Sequence, residues 1–308
     1  MSAHNLFRLQ ASIYNTPHLI TPASFQVILD FFSKRNSSNF IMKSMMTPGK
    51  KFDPTDDEND SSILPDDDEN QEPEIDEDDV ARLEAGVGFV YVDGSLTYKP
   101  ISTMCGNVGT SYMELVEAFE ELAENGVKTV VMEVSSGGGQ AGHCFETADQ
   151  IRKICDDAGI TLLGYADECA CSAAYALLCV CDVVIANPSA DVGSIGVLIA
   201  LMDDSKAMEQ EGLKPIYIYA GENKIPYMDD GSFKKSFLDK LQADVDRLNT
   251  QFVAHVSKYT GLSEAAILDF QADSFDAQTA LSKGLVNAVM TTSEFSAYVD
   301  KVHSQGQA

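Results

Sequence analysis

The sequence predicts an α/β fold built from stacked βαβ units with parallel strands. From about residue 86 onward, short runs rich in β-branched and aromatic residues alternate with longer stretches of helical periodicity. This strand–helix alternation is typical of parallel sheets whose faces are covered by helices. A hydrophobic content of 44% over 308 residues is enough for a packed core, so the chain as a whole is not a disordered protein.

The elements follow from these patterns in chain order. Strands are predicted at Val87–Val92, Thr129–Val134, Ile160–Tyr165 and Asp182–Ala186. Helices are predicted at Tyr112–Asn125, Gly142–Ala158 and Ser172–Cys181. A long helix follows and ends before Gly261, with an apolar stripe at steps of three and four: Phe237, Leu241, Val245, Leu248, Phe252 and Val256.

Composition divides the chain into four regions. Residues 1–43 form an N-terminal leader, in which Pro22 precedes an amphipathic stretch at Ser24–Phe32. Residues 44–85 form an acidic linker with no basic residue between Lys51 and Arg82. Self-repulsion and the lack of apolar area predict that this linker is disordered. The folded domain is expected at 86–295, beginning near Gly86, and a tail at 296–308.

Charge and hydropathy exclude several classes of function. A net charge of −27 argues against nucleic acid and against an anionic membrane surface as partners. The longest apolar stretch, Cys169–Ile185, is interrupted by Ser172 and Asp182 and does not resemble a membrane span. The first residues do not resemble a secretory signal. The seven cysteines are expected to be reduced thiols in a cytosol-like compartment.

Ser172 and Lys224 are the most informative pair. Ser172 follows a short apolar run and begins an Ala-rich, helix-like stretch, whereas Lys224 ends the sequence GENK. A serine hydroxyl becomes a good nucleophile only when a base takes its proton, and a lysine is that base only where burial lowers its pKa. If the two side chains meet, a Ser–Lys peptidase results. A simple helix cap is the alternative for Ser172.

Two further Gly-containing segments are expected to turn after strands. Ser135–Gly139 (SSGGG) follows the predicted strand ending at Val134, and its amides would suit an oxyanion hole. A phosphate-binding or merely tight turn is the alternative. In Val192–Val197 (VGSIGV), Ser194 is in a position to hydrogen-bond the lysine amine, although a plain turn between strands is the alternative there.

The cysteines raise two other hypotheses. Thiolate pairs bind zinc, and the sequence contains two Cys-x-Cys pairs, Cys169/Cys171 and Cys179/Cys181. This spacing is atypical of structural zinc, and free cysteines pack as small hydrophobes, so no metal is expected. Cys171 with His143 as base would make a cysteine peptidase. No motif supports that pairing.

Taken in order, four motifs resemble the signal peptide peptidase A family of serine peptidases. They are Ser136–Gly139, Cys171–Tyr175, Val192–Val197 and Gly221–Lys224, within about residues 86–295. The resemblance implies a Clp/crotonase-type fold. Two features depart from the family: Gly137 stands where a proline is usual, and the paired cysteines occupy places usually held by small residues.

The N-terminal region resembles one branch of that family. Ile13–Ile20, followed by Ile28 and Leu29, is similar to the leader of the tailed-phage head-maturation (prohead) proteases. The resemblance implies a protease that acts in the host cytoplasm, inside an immature capsid, on scaffold, capsid or portal proteins and often on itself. It also implies a homo-oligomer in rings or domes, with no cofactor, nucleic acid or membrane.

The resemblance also implies roles for individual residues. Ser172 is the expected nucleophile, neutral Lys224 the general base, and Ser194 the residue that holds the lysine amine in line. The backbone amides of Gly138 and Ala173 are expected to form the oxyanion hole. Gly137 and Gly139 are expected to bind the substrate. Three rival functions remain: a cellular signal-peptide-peptidase-like protease, an acyl-CoA hydratase or isomerase of the same fold, and an inactive capsid assembly protein.

Overall fold

The computed structural model describes residues 17–22, 24–26, 80–103, 106–107, 109–201, 203 and 205–306. The chain divides into two compact units, Met1–Ser24 with Val80–Ala308 and Phe25–Asp79. Only residues 25 and 26 of the second unit are described. The predicted amphipathic stretch at Ser24–Phe32 and the acidic linker up to residue 79 therefore lie largely or wholly outside the described residues.

Within the described residues, nine strands form one mixed sheet. Its main path runs β10–β9–β7–β6–β3–β2, with β1 on β6, β8 on β7 and β11 on β8. The strands are β1 His18–Ile20, β2 Ala81–Glu84, β3 Val87–Leu96, β6 Thr129–Gln140, β7 Thr161–Cys171, β8 Val183–Ala186, β9 Asp191–Gly193, β10 Ser274–Asp276 and β11 Ala288–Val289. A separate hairpin pairs β4, Ser102–Thr103, with β5, Gly106–Asn107.

The predicted α/β class is confirmed. Strands β3, β6 and β7 are mutually parallel, and helices make the crossovers between them. The helices are α1 Tyr112–Glu124, α2 Cys144–Ala158, α3 Ala173–Leu178, α4 Ser205–Gln210, α5 Lys235–Thr260, α6 Glu264–Asp269, α7 Ala277–Ser282 and α8 Thr292–Gly306. No helix among the described residues is long and apolar enough to cross a bilayer.

Local signals explain where the main helices start and stop. Helix α1 begins with a capping box, in which the Ser111 hydroxyl accepts from the Glu114 amide and the Glu114 carboxylate accepts from the Ser111 amide. Helices α2 and α5 end at Gly159 and Gly261, both left-handed, which satisfies their last carbonyls. These two glycines explain why the predicted C-terminal ends of α2 and α5 agree with the structure, whereas the helix predicted at Ser172–Cys181 ends earlier, at Leu178.

Both faces of the sheet are covered. The larger core packs α1, α2 and α3 against one face, with Tyr112, Phe119 and Tyr175 fully buried. On the other face, Phe295 and Val299 of α8 pack against a smaller cluster, and Phe295 stacks on Tyr165 at 4.2 Å between ring centroids. The boundary predicted at residue 295 falls inside α8, so part of the predicted tail packs with the domain.

One strand of the sheet lies within the predicted linker. Strand β2 occupies Ala81–Glu84 and pairs antiparallel with β3 through a two-residue turn at Ala85 and Gly86. Both turn residues have positive φ, 49° and 84°, the conformation that two-residue hairpins favour. The charged side chains Arg82 and Glu84 are exposed, as expected of an edge strand. Strand β2 therefore adds residues before Gly86, the predicted start of the folded domain, to the sheet.

The glycine-rich segment is a strand, contrary to the predicted turn. Strand β6 continues through Ser135–Gly139 and ends at Gln140. A Cβ added at Gly138 would collide with the carbonyl oxygen of Leu19, and one at Gly139 with that of Leu96. The glycines are needed because backbone approaches this strand closely from both sides.

Candidate active site

Ser172 lies at a strained junction between a strand and a helix. Strand β7 ends at Cys171 and α3 begins at Ala173, so Ser172 alone makes the turn. Its φ of 58° and ψ of −118° are unfavourable for a residue with a side chain, a kind of strain that clusters at functional sites. Its side chain makes no cap hydrogen bond, so the alternative of a helix cap does not apply.

The VGSIGV segment packs directly against Ser172. Strand β9 runs parallel to the end of β7, with Cys171 opposite Gly193. The Ser172 amide donates to the Gly193 carbonyl at 2.8 Å, and the Ser172 hydroxyl donates to the Gly196 carbonyl at 3.4 Å. Ser172 is fully buried in this arrangement. The structure therefore brings together the predicted nucleophile and the segment that carries Ser194.

Ser194 is held in place by its backbone. Its φ is 53°, it is buried, and its amide donates to the Asp273 carbonyl at 2.8 Å. This bond ties the turn after β9 to the residue preceding β10. A rigid turn suits a residue that must orient another side chain, which is the role predicted for Ser194.

The two predicted oxyanion groups lie on either side of the same turn. Ala173 is the first residue of α3, so its amide has no partner within the helix. A Cβ added at Gly138 would lie 3.0 Å from the Cys171 carbonyl oxygen, which places Gly138 against the Ser172 turn. The Gly138 amide donates to the Ser136 hydroxyl at 3.1 Å, and that hydroxyl donates to the Gly94 carbonyl at 2.6 Å.

Gly137 and Gly139, the predicted substrate contacts, contact the N-terminal segment. The Thr21 amide donates to the Gly137 carbonyl at 2.9 Å, and Leu19 pairs with Gly139 in the β1–β6 ladder. The sequence reasoning did not foresee this contact. The apolar triplet His18–Ile20 after Pro17 is the signal that could have predicted a short strand there.

Lys224 is not brought to Ser172 in the single chain. It lies in a one-turn 3₁₀ helix, Glu222–Lys224, and it is exposed. Among the described residues, no contact joins Lys224 to Ser172 or Ser194. A general-base lysine needs a desolvated amine, and this one has none of the required burial.

The segment that carries Lys224 exposes apolar side chains. All residues from 211 to 224 are exposed. Ile216 and Ile218 are 85% and 99% accessible, with Tyr217 and Tyr219 beside them. Clustered exposed apolar side chains are typical of protein–protein interaction sites.

The cysteine hypotheses find no support in the geometry. Burial raises the pKa of Cys171 to about 12, so its thiol stays protonated at neutral pH. His143 stacks on Tyr98 at 3.8 Å and pairs with Glu146, without a contact to Cys171. The six cysteines in the described part of the chain are free thiols. No cluster of three or more His, Cys, Asp or Glu side chains among the described residues is arranged to hold a metal.

Comparison with known sequences supports the resemblance seen in the motifs. Residues 155–304 match Peptidase family S49, a span that includes Ser172, Ser194 and Lys224. The head-tail preconnector protein GP5 of Enterobacteria phage P21 is 27% identical over 221 residues, covering 70% of this chain and 43% of that protein. The capsid assembly protease C of Escherichia phage lambda is 25% identical over 210 residues, covering 68% and 47%.

A cellular protein is similar too. The probable protease SohB of Haemophilus influenzae is 25% identical over 158 residues, half of this chain and 44% of that protein. The chain therefore spans less than half the length of each of these three relatives. The resemblance to signal peptide peptidase A-like proteases, and to their phage branch, is confirmed.

Two solved structures match part of the chain at low sequence identity. A point mutant of ClpP1 from Listeria monocytogenes matches with a TM-score of 0.41 and 12% identity, over 66% of this chain and 91% of that one. An enoyl-CoA hydratase/isomerase from Marinobacter aquaeolei matches with a TM-score of 0.45 and 12% identity, over 74% and 76%.

Proposed function

We propose that this chain, whose residues 155–304 match Peptidase family S49, is a serine endopeptidase with Ser172 as nucleophile. The observation that carries the proposal is the conformation of Ser172, buried and strained at the end of a central strand. A turn of this kind aims a side chain from the sheet edge toward a bound substrate, as nucleophile turns do in other hydrolases.

The surrounding backbone supports acyl transfer. When the Ser172 hydroxyl attacks the scissile carbonyl, negative charge develops on the carbonyl oxygen. The amides of Ala173 and Gly138 flank the turn and would donate to that oxygen. Gly138 must first release the Ser136 hydroxyl, a small rearrangement since the acceptor lies only two residues away.

Lys224 is the proposed general base, supplied by a second copy of the chain. Three observations support this: Lys224 is exposed, its segment carries uncovered apolar side chains, and no other described residue contacts the Ser172 hydroxyl as a base. Docking of the segment on a neighbouring copy would remove the amine from water, as the role of a general base requires. Ser194 would then orient the amine, and Lys224 would return the proton to the leaving nitrogen.

The proposed substrates are polypeptides of an immature phage head. The phage relatives support this context, since one is a capsid assembly protease and the other a head-tail preconnector protein. Scaffold, capsid or portal proteins are the expected substrates, inside the prohead in the host cytoplasm, and no cofactor is required. Self-processing belongs to the same proposal.

Substitution at Ser172 tests the proposed nucleophile. Ser172→Ala should reduce cleavage of an unfolded protein such as casein by at least about 10³-fold, because the nucleophile is lost. Cys171→Ala is the matched control and should keep activity within a few-fold, because its buried thiol is not ionised. Inactivation by Cys171→Ala together with normal activity of Ser172→Ala would refute the assignment.

Mixing two inactive variants tests whether the general base comes from the same copy of the chain as Ser172 or from a neighbouring copy. Lys224→Ala should be as inactive as Ser172→Ala when each is assayed alone. An equimolar mixture that exchanges copies should recover about one quarter of the wild-type rate, because half of the sites carry Ser172 and half of those face a copy with Lys224. A mixture that stays inactive, with exchange shown by native mass spectrometry, would place Lys224 and Ser172 in the same copy.

A further inference from the structure

A segment near the N-terminus forms a strand that is hydrogen-bonded to other backbone segments along both of its edges. We call Pro17–Thr21 the leader strand; β1 is its centre. On one edge it runs antiparallel to the glycine-rich end of β6, with His18 opposite Gln140 and Ile20 opposite Gly138. On the other edge, the His18 amide donates to the Leu198 carbonyl at 2.9 Å, and the Leu198 amide donates back to the His18 carbonyl at 3.0 Å.

The two edges that bind the leader strand are the two edges that flank Ser172. On the β6 edge, a Cβ added at Gly138 would meet both the Cys171 carbonyl oxygen, at 3.0 Å, and the Leu19 carbonyl oxygen. On the other edge, the Gly196 carbonyl accepts from the Ser172 hydroxyl, two residues before Leu198. The gap between these edges is therefore the channel through which an extended peptide reaches the hydroxyl, and the leader strand fills it.

The leader strand is bound as a peptide ligand would be. Main-chain hydrogen bonds link it to both edges, the means by which proteins bind extended peptides of varied sequence. His18, Leu19 and Ile20 are each no more than 4% exposed. The Thr21 hydroxyl bonds to the Ser24 hydroxyl at 2.8 Å. A channel one strand wide cannot hold a second peptide at the same time.

We infer that the leader strand is an internal substrate mimic that keeps the Ser172 channel closed until an extended polypeptide displaces it. The inference depends on the proposed function only for the identity of Ser172 as nucleophile. It also predicts the form of the substrate: an unfolded segment, bound as a strand, with an apolar residue at the position of Ile20 beside Gly138.

Peptide binding to catalytically silent full-length chains tests occupancy. In a Ser172→Ala background, the probe is a fluorescent peptide of residues 14–26, and the variants are His18→Pro and His18→Ala. Proline removes the His18 amide that bonds to Leu198, whereas alanine keeps it. If the leader strand fills the channel nine-tenths of the time, releasing it should tighten peptide binding about tenfold. His18→Ala, which lacks the same imidazole but keeps the amide, should bind the peptide more weakly than His18→Pro does.

A second pair of variants, at Thr21, shows whether the result at His18 is caused by misfolding. Thr21→Pro removes the amide that bonds to Gly137, and Thr21→Ala keeps it. The proline variant should again bind the peptide about tenfold more tightly. Equal affinities in the parent chain and in both proline variants, each folded by its melting curve, would overturn the inference.

A cleavage assay separates this inference from the proposed function. With Ser172 restored, His18→Pro should cleave casein several-fold faster than His18→Ala. If the proline variants bind the peptide more tightly and none of the chains cleaves casein, the proposed peptidase function is wrong. The inference that the leader strand occupies the channel is then still supported. If all chains cleave casein at the same rate and bind the peptide equally, the peptidase function is supported and the inference of an internal substrate mimic is wrong.

Discussion

At the scale of single residues, the backbone strain at Ser172 links stability to function. A side-chain-bearing residue at φ 58° and ψ −118° costs about 1–3 kcal/mol relative to a glycine. Ser172→Gly should therefore be more stable than Ser172→Ala, by about 2–4 °C in Tm per kcal/mol regained, while both are inactive. Thermal melts of the two variants check this. A glycine variant no more stable than the alanine variant would show that the turn stores no strain.

His255 makes folding stability depend on pH. Burial lowers its pKa, although the hydrogen bond to the Ala176 carbonyl at 2.9 Å and the charge of Asp149 partly oppose this. The unfolded chain then binds the proton more readily than the folded chain. The free energy of unfolding is therefore insensitive to this ring above about pH 6.5, the pKa of an unfolded histidine. It decreases as the pH falls from about 6.5 toward the lower pKa that His255 has in the folded chain.

His255→Gln, which cannot titrate, is the test of that linkage. The wild-type Tm should fall further between pH 7.5 and pH 5.5 than the Tm of the variant does, because only the wild type gains a proton on unfolding. Parallel Tm curves for the two proteins would exclude His255 as the source of the dependence.

At the scale of elements, the glycine-rich end of β6 is sensitive to added atoms. Gly139→Ala places a Cβ into the Leu96 backbone on β3, and neither strand can shift without breaking the ladder between them. A loss of about 2–3 kcal/mol is expected, as for other backbone clashes. Gly142→Ala is the matched control: no atom lies within 4 Å of its Cβ, and its stability should change by less than about 0.5 kcal/mol. Chemical denaturation of both variants measures the difference.

The same strand shows where sequence patterns predict structure and where they do not. The run from Thr129 to Val134 is β-branched and apolar, and its burial on both faces made the strand predictable. Ser135–Gly139 carries no such pattern, because its extended form depends on partners distant in sequence, β1 and β3. Local propensity therefore predicted a turn. Strand β2 was missed for a related reason, since its acidic surroundings concealed a hairpin formed at Ala85 and Gly86.

At the scale of the whole molecule, parallel topology explains how much of the site was predictable. Strands β7 and β9 are parallel, so the residues after their carboxyl ends, Ser172 and Ser194, meet at one edge of the sheet. The role of Lys224 was predicted from the Gly221–Lys224 motif alone. Its segment is exposed within one copy, and local sequence patterns do not specify the surface on which the proposed docking would occur.

Cutting the acidic run should increase the proposed peptidase activity of the chain if the leader strand closes the channel. A site-specific protease sequence inserted within residues 56–69 would allow the run to be cut while every contact of the leader strand is kept. While the run is intact, the leader strand competes with substrate at an effective concentration of about 1 mM; after cutting and dilution it competes only at the protein concentration. The cut chain, assayed at nanomolar concentration, should therefore cleave casein several-fold faster than the uncut chain with the same insertion. Added peptide of residues 14–26 should slow it again, and His18→Pro should gain nothing from the cut. Equal rates before and after complete cutting would mean that the leader strand does not compete with substrate.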